Sequence, residues 1–239
     1  MTEITKETRL LQTFAGLADT LVDGYDIVDL LQLLVDSCSE LLDTTAAAIL
    51  LAGPSGELDV MASTSEASRL VELIQLSAEA GPCVESFRTG EVVSVPDIAA
   101  SPEQWSRFRD SAIAQGFASV HAVPMRLRDN TIGTLNLLRD QAGDLDEQDR
   151  IAARAFADVA TIGILHERSL RETALLAEQL QGALSSRVVI EQAKGVVAYT
   201  NGVTTEQAFE LIRRYARSHQ LGISQVAARL VDRSLRLDP

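Results

Sequence analysis

The sequence predicts an α+β protein, with strands confined to the part before Asp146 and helices alone after it. Two observations predict this class. Short apolar and β-branched runs bounded by turn residues alternate with helical patterns as far as Leu138, and from Asp146 the pattern is helical, with no proline before Pro239. The 239-residue chain has room for one large or two modest domains, each able to bury its own core.

The first part of the chain alternates helices with short strands. Apolar spacing predicts helices over 8–21, 27–42 and 66–77, and strands over 46–51, 58–62 and 92–95. The Gly53-Pro54-Ser55-Gly56 segment is typical of a turn, because glycine supplies positive φ and proline fixes the bend before it. Gly81-Pro82 precedes another helical piece. Ser101-Pro102 predicts the start of a further helix, with the serine as its cap.

The clearest strands are predicted over 119–127 and 131–138. The two-residue link Asp129-Asn130 favours a tight hairpin, because both side chains tolerate left-handed backbone geometry. In the second strand apolar and polar residues occur on both faces. We therefore expect both sides of the sheet to be covered, at least in part.

A long helix is predicted to begin at Asp146, which is placed to cap it. Continued to Tyr199 it would be about 80 Å long at about 1.5 Å per residue, with Gly163, Gly182 and Gly195 as weak points. Heptad spacing in its second half favours a short parallel coiled coil, and the alternative is a helix packed on its own domain. The residues at heptad spacing are Leu176, Leu180, Ala183 and Ile190.

The end of the chain predicts a compact bundle of three helices, since helices this short bury enough surface only by packing together. Asn201-Gly202 is typical of the end of the first helix. Thr204 and Gln207 predict a capping box for the second helix, and Ser224 is placed to cap the third. The predicted core positions are Ile190, Ala193, Val197, Ala208, Leu211, Ile212, Tyr215, Ala216, Val226, Ala227, Leu230 and Val231.

Three blocks of this C-terminal part occur in order at the spacing of a small domain. They are Ile190-Glu191-Gln192-Ala193-Lys194-Gly195, the segment from Ala208 to Ala216, and Val226-Ala227. With these blocks, residues 183–231 resemble the ANTAR domain, an RNA-binding module of bacterial transcription antiterminators.

The preceding part of the chain, over about residues 10–165, resembles a GAF domain, a sensory relative of PAS domains. The resemblance is strongest in the segments 81–90, 120–125 and 132–137. It implies a central antiparallel sheet flanked by helices. The whole chain then resembles the GAF–ANTAR proteins of actinobacteria, and the expected domains are a GAF sensory domain over 1–165, a helical linker over 166–182 and an ANTAR domain over 183–239.

The net charge of −13 is spread unevenly, which matters for an RNA-binding prediction. Residues 1–165 carry 11 Lys and Arg against 26 Asp and Glu, a net of −15. Residues 166–239 carry 10 against 8, a net of +2, and from Ser185 onward the count is 8 against 5, a net of +3. The basic residues therefore concentrate where the ANTAR resemblance lies. This excess is too small to identify an RNA-binding domain by itself.

Residues matching the ANTAR motif positions are expected to bind RNA: Arg187, Gln192, Lys194, Gly195 and Arg213. Aromatic rings and further guanidinium groups on the same helices add Tyr199, Arg214, Arg217, His219, Arg229 and Arg233, because loop bases stack on such planes and phosphates pair with the cations.

Two of these candidates have plainer interpretations. Gly195 within a helix indicates close approach by a neighbouring element, or is an ordinary tolerated glycine. Glu210 is placed to pair with Arg214, and surface arginines often only solvate a helix.

The ANTAR resemblance implies binding to paired stem-loops in leader transcripts, which would keep a terminator hairpin from forming. We expect a homodimer, because two such modules on one assembly would bind the RNA with a raised effective concentration. The alternative is a signalling protein whose helical C-terminal module docks a protein partner and binds no RNA. The two differ in salt dependence, because phosphate contacts weaken steeply as salt rises.

The GAF resemblance implies a small-molecule ligand, but no residue pattern assigns one. His121 as a haem ligand and Cys83 as a redox switch are weighed against packed, structural side chains. No spacing indicates a cofactor, a metal site or catalytic residues, so we expect a protein that is not an enzyme.

The cell compartment is predicted from composition. The polar N-terminus is unlike a secretory signal, no apolar run approaches the length of a membrane span, and the two cysteines suggest no disulfide framework. We therefore expect a cytoplasmic protein without membrane association.

Overall fold

The computed structural model describes residues 5–20, 26–128 and 130–237, and at 18, 20, 174–175, 179–180 and 182–184 it describes the backbone alone. The chain divides into two compact units, Met1–Arg168 and Ser169–Pro239, called here the N-terminal and C-terminal units.

Five antiparallel strands form the sheet of the N-terminal unit, in the spatial order β2-β1-β5-β4-β3. They are β1 (Ala46–Ala52), β2 (Leu58–Ser63), β3 (Val93–Val95), β4 (Ser119–Leu127) and β5 (Asn130–Arg139). The antiparallel sheet implied by the resemblance is confirmed. Strands β1, β5 and β4 occupy its centre and are almost entirely buried.

The helices begin and end close to where apolar periodicity predicts. They are α1 (Lys6–Thr20), α2 (Ile27–Leu41), α3 (Glu66–Ala78), α4 (Pro82–Thr89), α5 (Ser106–Ala114), α6 (Glu147–Asn201), α7 (Thr205–Ser218) and α8 (Ile223–Val231). None of those in the described part of the chain combines the length and the apolar character needed to span a bilayer.

Helices cover both faces of the sheet, as the mixed pattern of β5 predicts. On one face α1, α2 and the start of α6 bury a cluster that includes Val35, Ile49 and Phe156. On the other face α3, α4 and α5 pack through residues such as Val71 and Phe108. Burial of each such large side chain contributes about 1.5–3 kcal/mol to stability, so the central strands are stabilised from both sides.

Two predicted local features of this unit are wrong. Asn130 pairs with Leu127 and already belongs to β5, and the chain leaves β4 at Arg128, which has a φ of 57°. The other residue of the predicted link, Asp129, lies outside the described residues. Ser101 does not cap a helix: it follows a 3₁₀ turn over Ile98–Ala100, its hydroxyl is buried without a partner among the described residues, and α5 begins only at Ser106. A second 3₁₀ turn over Glu103–Trp105 fills the intervening chain.

Helix α6 is unbroken over 55 residues, about 80 Å at about 1.5 Å per residue. Its first turn is capped as predicted, because the backbone N of Asp149 donates to Asp146 Oδ1 at 2.7 Å. The predicted coiled-coil seam is incompletely described, since the side chains of Leu180 and Ala183 lie outside the described residues. Leu176, from the same set, is 59% exposed.

The C-terminal unit is the predicted bundle of three helices. The end of α6 packs Ala193 and Val197 against α7 and α8, whose core residues are Ala208, Ile212, Ala216, Val226, Ala227 and Leu230. Gly202, with φ of 65°, ends α6, and Thr204 and Gln207 form the predicted capping box of α7.

The predicted cap of α8 is wrong. Gly222 occupies the cap position without a side-chain hydrogen bond, and Ser224 is an exposed residue in the first turn. The helix starts early because Leu221 and Ile223 both pack on the bundle core.

Thr204→Ala should lower the free energy of unfolding of the C-terminal unit by about 1 kcal/mol, because the backbone N of Gln207 loses its acceptor, Thr204 Oγ1, at 3.2 Å. Chemical denaturation followed by circular dichroism measures this loss. Ser224→Ala is the matched control and should change stability by less than about 0.5 kcal/mol. Equal losses for the two variants would contradict the assigned caps.

Candidate nucleic-acid interface

Ten of the eleven predicted RNA-binding residues are exposed on the C-terminal unit, and Lys194 is half-buried. Several of them line two grooves. We call the first the α7 groove, which lies between α6 and α7 and contains Lys194 and Arg214. We call the second the tail groove, which lies at the ends of α6 and α8 and contains Tyr199 and Arg233. The other seven line neither groove: Arg187, Gln192, Gly195, Arg213, Arg217, His219 and Arg229.

The α7 groove has a volume of about 620 Å³ and contains acidic as well as basic side chains. Lys194 Nζ lies 5.7 Å from the centre of the Phe209 ring, within reach of a cation–π interaction. The same Nζ lies 3.0 and 2.9 Å from the two carboxylate oxygens of Glu191. Glu206 and Glu210 also line the groove. Its positive charge is therefore partly compensated within the unit.

The arginines of α7 are not equivalent. Arg213 Nη2 lies 3.3 Å from Glu210 Oε1, so Glu210 pairs with Arg213 and not with Arg214 as predicted. The i,i+3 pairing directs one guanidinium toward a carboxylate and leaves its neighbour available. Arg214 and Arg217 form no ion pair within the described residues and line a shallow depression beside Arg213. They are the uncompensated cations of this face.

His219 lies just beyond α7 and is held by its own helix end. Its ring stacks on Tyr215, with 3.9 Å between ring centres and 20° between planes. Its Nδ1 lies 3.0 Å from the Tyr215 carbonyl oxygen and 2.9 Å from Ser218 Oγ. One face of the imidazole is therefore already covered, which leaves the other face for a ligand.

Gly195 has open space around it. Apart from the backbone of its own helix turn, no atom lies within 4 Å of the position a Cβ would occupy, so close approach by a neighbouring element does not explain this glycine. Phe209, which was not predicted to bind RNA, lines the α7 groove with its ring beneath Lys194. The sequence could have indicated this residue, because Phe209 lies on the arginine-rich helix α7, four residues before Arg213.

The interior of the N-terminal unit contains a buried polar cluster that sequence reasoning missed. Glu72 of α3 is fully buried, and its Oε2 accepts a hydrogen bond from Gln75 Nε2 at 2.9 Å. Gln75 Oε1 in turn accepts one from the backbone N of Cys83, at the start of α4, at 3.1 Å. Gly81, with φ of 147°, lies against the Gln75 side chain. Asn136 of β5 faces the same carboxyl, but its amide has no hydrogen-bond partner among the described residues.

Burial raises the pKa of Glu72 to about 7. Cys83 and Asn136 lie close enough to favour the charged form, yet Glu72 Oε1 has no hydrogen-bond partner among the described residues. No basic side chain contributes to this pKa. A carboxylate here would be buried without a counter-ion, so the neutral acid is favoured.

The two residues considered as sensory groups are both packed. Cys83 is completely buried, and burial together with the nearby Glu72 carboxyl raises the pKa of its thiol well above the ordinary value. A reactive thiolate is therefore disfavoured. His121 is 5% exposed, and burial lowers its pKa. The described residues contain no group of His, Cys, Asp and Glu side chains suited to a metal ion.

Family models match both parts of the chain. A GAF domain model matches residues 25–165, and an ANTAR domain model matches residues 178–231. The chain therefore belongs to the GAF domain family. With the ANTAR domain behind it, the protein is a GAF–ANTAR regulator, built from two regulatory domains. No curated protein matches its sequence.

Solved structures with the same fold come from several bacteria. The GAF domain of a phosphoenolpyruvate-protein phosphotransferase from Coxiella burnetii has a TM-score of 0.56 at 15% identity, over 70% of this chain and 99% of that one. Free methionine-R-sulfoxide reductase from Neisseria meningitidis has a TM-score of 0.54 at 17% identity, over 69% and 91%. At these identities the likeness establishes the fold of the N-terminal unit alone.

Glu72 should make stability depend on pH. Its pKa is about 7 in the folded protein and about 4.5 unfolded, so the folded state binds the proton more tightly. The resulting stabilisation is complete below about pH 4.5 and is lost as pH rises through about 7, about 3 kcal/mol in all at about 1.4 kcal/mol per pKa unit. Denaturation midpoints measured from pH 5 to 8 follow this loss.

Glu72→Gln removes the titrating group and should make the protein more stable than wild type at pH 8. Glu66→Gln, an exposed position on the same helix, should keep the wild-type pH dependence. A wild-type pH profile in Glu72→Gln would show that another group is responsible.

Proposed function

We propose that the protein is an RNA-binding transcription antitermination regulator. Its ANTAR bundle binds stem-loops in leader transcripts, and its GAF domain gates that binding through a ligand of unassigned chemistry. The observation that carries the proposal is the ANTAR match over residues 178–231, at the point where the acidic excess of the chain ends. No step in this function requires catalysis.

The distribution of uncompensated cations supports RNA as the partner. Of the eight Lys and Arg residues from Ser185 onward, Lys194 and Arg213 are ion-paired. The others form no ion pair with the described residues, and they are Arg187, Arg214, Arg217, Arg229, Arg233 and Arg236. Free guanidinium groups suit phosphates and the A-form backbone, and binding would release condensed counterions. Arg214 and Arg217 are thus better placed to contact phosphates than the motif residues Lys194 and Arg213.

A homodimer is part of the proposal. Near the start of the C-terminal unit and before its bundle, α6 exposes Leu170 and Leu176, at 57% and 59%. Pairing of two copies along this stretch would bury these side chains. It would also join two ANTAR bundles, so that the second stem-loop binds at a raised effective concentration.

RNA binding is tested by titrating leader RNAs with two stem-loops against the full-length protein at several salt concentrations. Arg214→Ala and Arg217→Ala should each weaken binding several-fold and lower the slope of log affinity against log salt by about 1, because each removes one phosphate contact. Lys194→Ala should weaken binding less, since its charge is already shared with Glu191.

Arg107→Ala is the matched control, because it removes the same charge from an exposed position of the acidic N-terminal unit. It should leave affinity and slope unchanged. Wild-type protein that binds none of the leader RNAs would contradict the proposal. If the protein instead binds a protein partner, with an affinity that does not depend on salt, the alternative function of docking a protein is favoured.

The dimer is tested by sedimentation velocity over a range of concentrations. Leu170→Gln with Leu176→Gln should weaken association at least tenfold, because the paired helices lose two apolar contacts. Leu73→Gln, which changes a leucine 44% exposed on α3, is the control. Wild type that stays monomeric throughout, or a double variant that still dimerises like wild type, would exclude pairing along this stretch.

A further inference from the structure

The tail groove differs in composition from the α7 groove. It has a volume of about 610 Å³, and its lining combines apolar residues with two arginines and one tyrosine. Val197 and Leu230 are buried bundle-core residues, and Leu235 and Leu237 of the tail after α8 complete the apolar surface. Among the residues that the structure describes, no acidic side chain lines it. The α7 groove, in contrast, contains Glu206 and Glu210.

Hydrogen bonds hold the tail in place and so give the groove its shape. Asn201 Nδ2, at the end of α6, donates to the Leu237 carbonyl oxygen at 3.0 Å. The backbone N of Leu235 donates to the Arg229 carbonyl oxygen at 2.9 Å, and Arg233 turns the chain with a φ of 65°. The wall is therefore formed before any ligand arrives, which lowers the entropy cost of binding.

Tyr199 lies at this groove with 91% of its surface exposed. Tyrosine usually packs its ring and leaves the hydroxyl at the surface, so a ring left this bare at a groove indicates a surface that binds. Arg233 and Arg236 line the same groove and form no ion pair with the described residues. An exposed ring beside two free guanidinium groups suits a planar base and its flanking phosphates.

We propose that the tail groove receives one unpaired nucleobase from the loop of the bound RNA, which stacks on Tyr199 while Arg233 and Arg236 contact the adjacent phosphates. This inference rests on the proposed RNA-binding function and adds a binding site for one base of the RNA loop. A base within a duplex cannot enter such a groove, whereas a loop base can turn out of its stack. Arg214 and Arg217 of α7 then contact the RNA backbone, and the tail groove distinguishes a stem-loop from a plain duplex.

The test uses full-length protein and a stem-loop RNA selected by the wild type from a library with a random loop. 2-Aminopurine replaces each loop base in turn, and one stem base as control. We expect the fluorescence of one loop position to change on binding, and the stem position to stay constant. Tyr199→Ala should abolish that change and weaken binding about tenfold, in the range measured for loss of one base–aromatic stack. Tyr199→Phe keeps the ring and should behave like wild type.

The outcomes distinguish a failure of the proposed RNA-binding function from a failure of the tail groove assignment alone. A library that yields no RNA bound by wild type overturns the proposed function and this inference with it. If RNA binds but Tyr199→Ala retains both the fluorescence change and the affinity, only the tail groove assignment is wrong. Loss of affinity for a blunt duplex as well as for the stem-loop in Tyr199→Ala would also overturn it, because a loop-reading groove contributes nothing to duplex binding.

Discussion

Packing along α6 is the constraint on which both units depend. Near its start the helix buries Ala153 and Phe156 against the sheet and α2, and Phe156 also stacks on Phe14 at 4.6 Å between ring centres. Near its end the same helix buries Ala193 and Val197 in the three-helix bundle. Each unit thus takes a structural element from one continuous stretch of backbone hydrogen bonds. Neither core would be complete without its share of this helix.

The two units use charge in opposite ways. In the N-terminal unit a carboxyl is buried: burial raises the pKa of Glu72 to about 7, so the neutral acid predominates below that pH, and Gln75 links this carboxyl to the start of α4. In the C-terminal unit the charged side chains lie at the surface. Some of its cations are ion-paired with carboxylates, and the others are not. Glu191 and Glu210 engage Lys194 and Arg213, so the arginines beside them are left for a ligand.

Much of the fold could be predicted because it follows from local patterns. Apolar spacing located the helices, and side-chain chemistry next to the backbone identified the caps at Asp146 and Thr204. Ser101 and Ser224 were misjudged by the same reasoning, because a serine suits several neighbouring helix starts and packing decides among them. At Ser224 the contacts of Leu221 and Ile223 with the core decided it.

The residue types of the candidate site could be predicted from the sequence, but which carboxylate pairs with which cation could not. The spacing along α7 allows Glu210 to pair with either Arg213 or Arg214. In the folded protein the side-chain conformations pair it with Arg213. The cluster around Glu72 had no sequence signal at all, since a glutamate in an amphipathic helix usually faces water. Asn136, which faces this buried carboxyl, lies 64 positions away in the chain, and only the folded sheet brings the two residues near.

The contact between Gly81 and Gln75 has a consequence for how this protein can change over time. A Cβ at position 81 would lie 2.2 Å from Gln75 Oε1, and the backbone there has φ of 147°. A larger residue at 81 would therefore be strained in its backbone, and it would also displace the Gln75 amide, which joins the backbone amide of Cys83 to the carboxyl of Glu72. In descendants of this sequence Gly81 should therefore be kept, even where the residue at 75 changes.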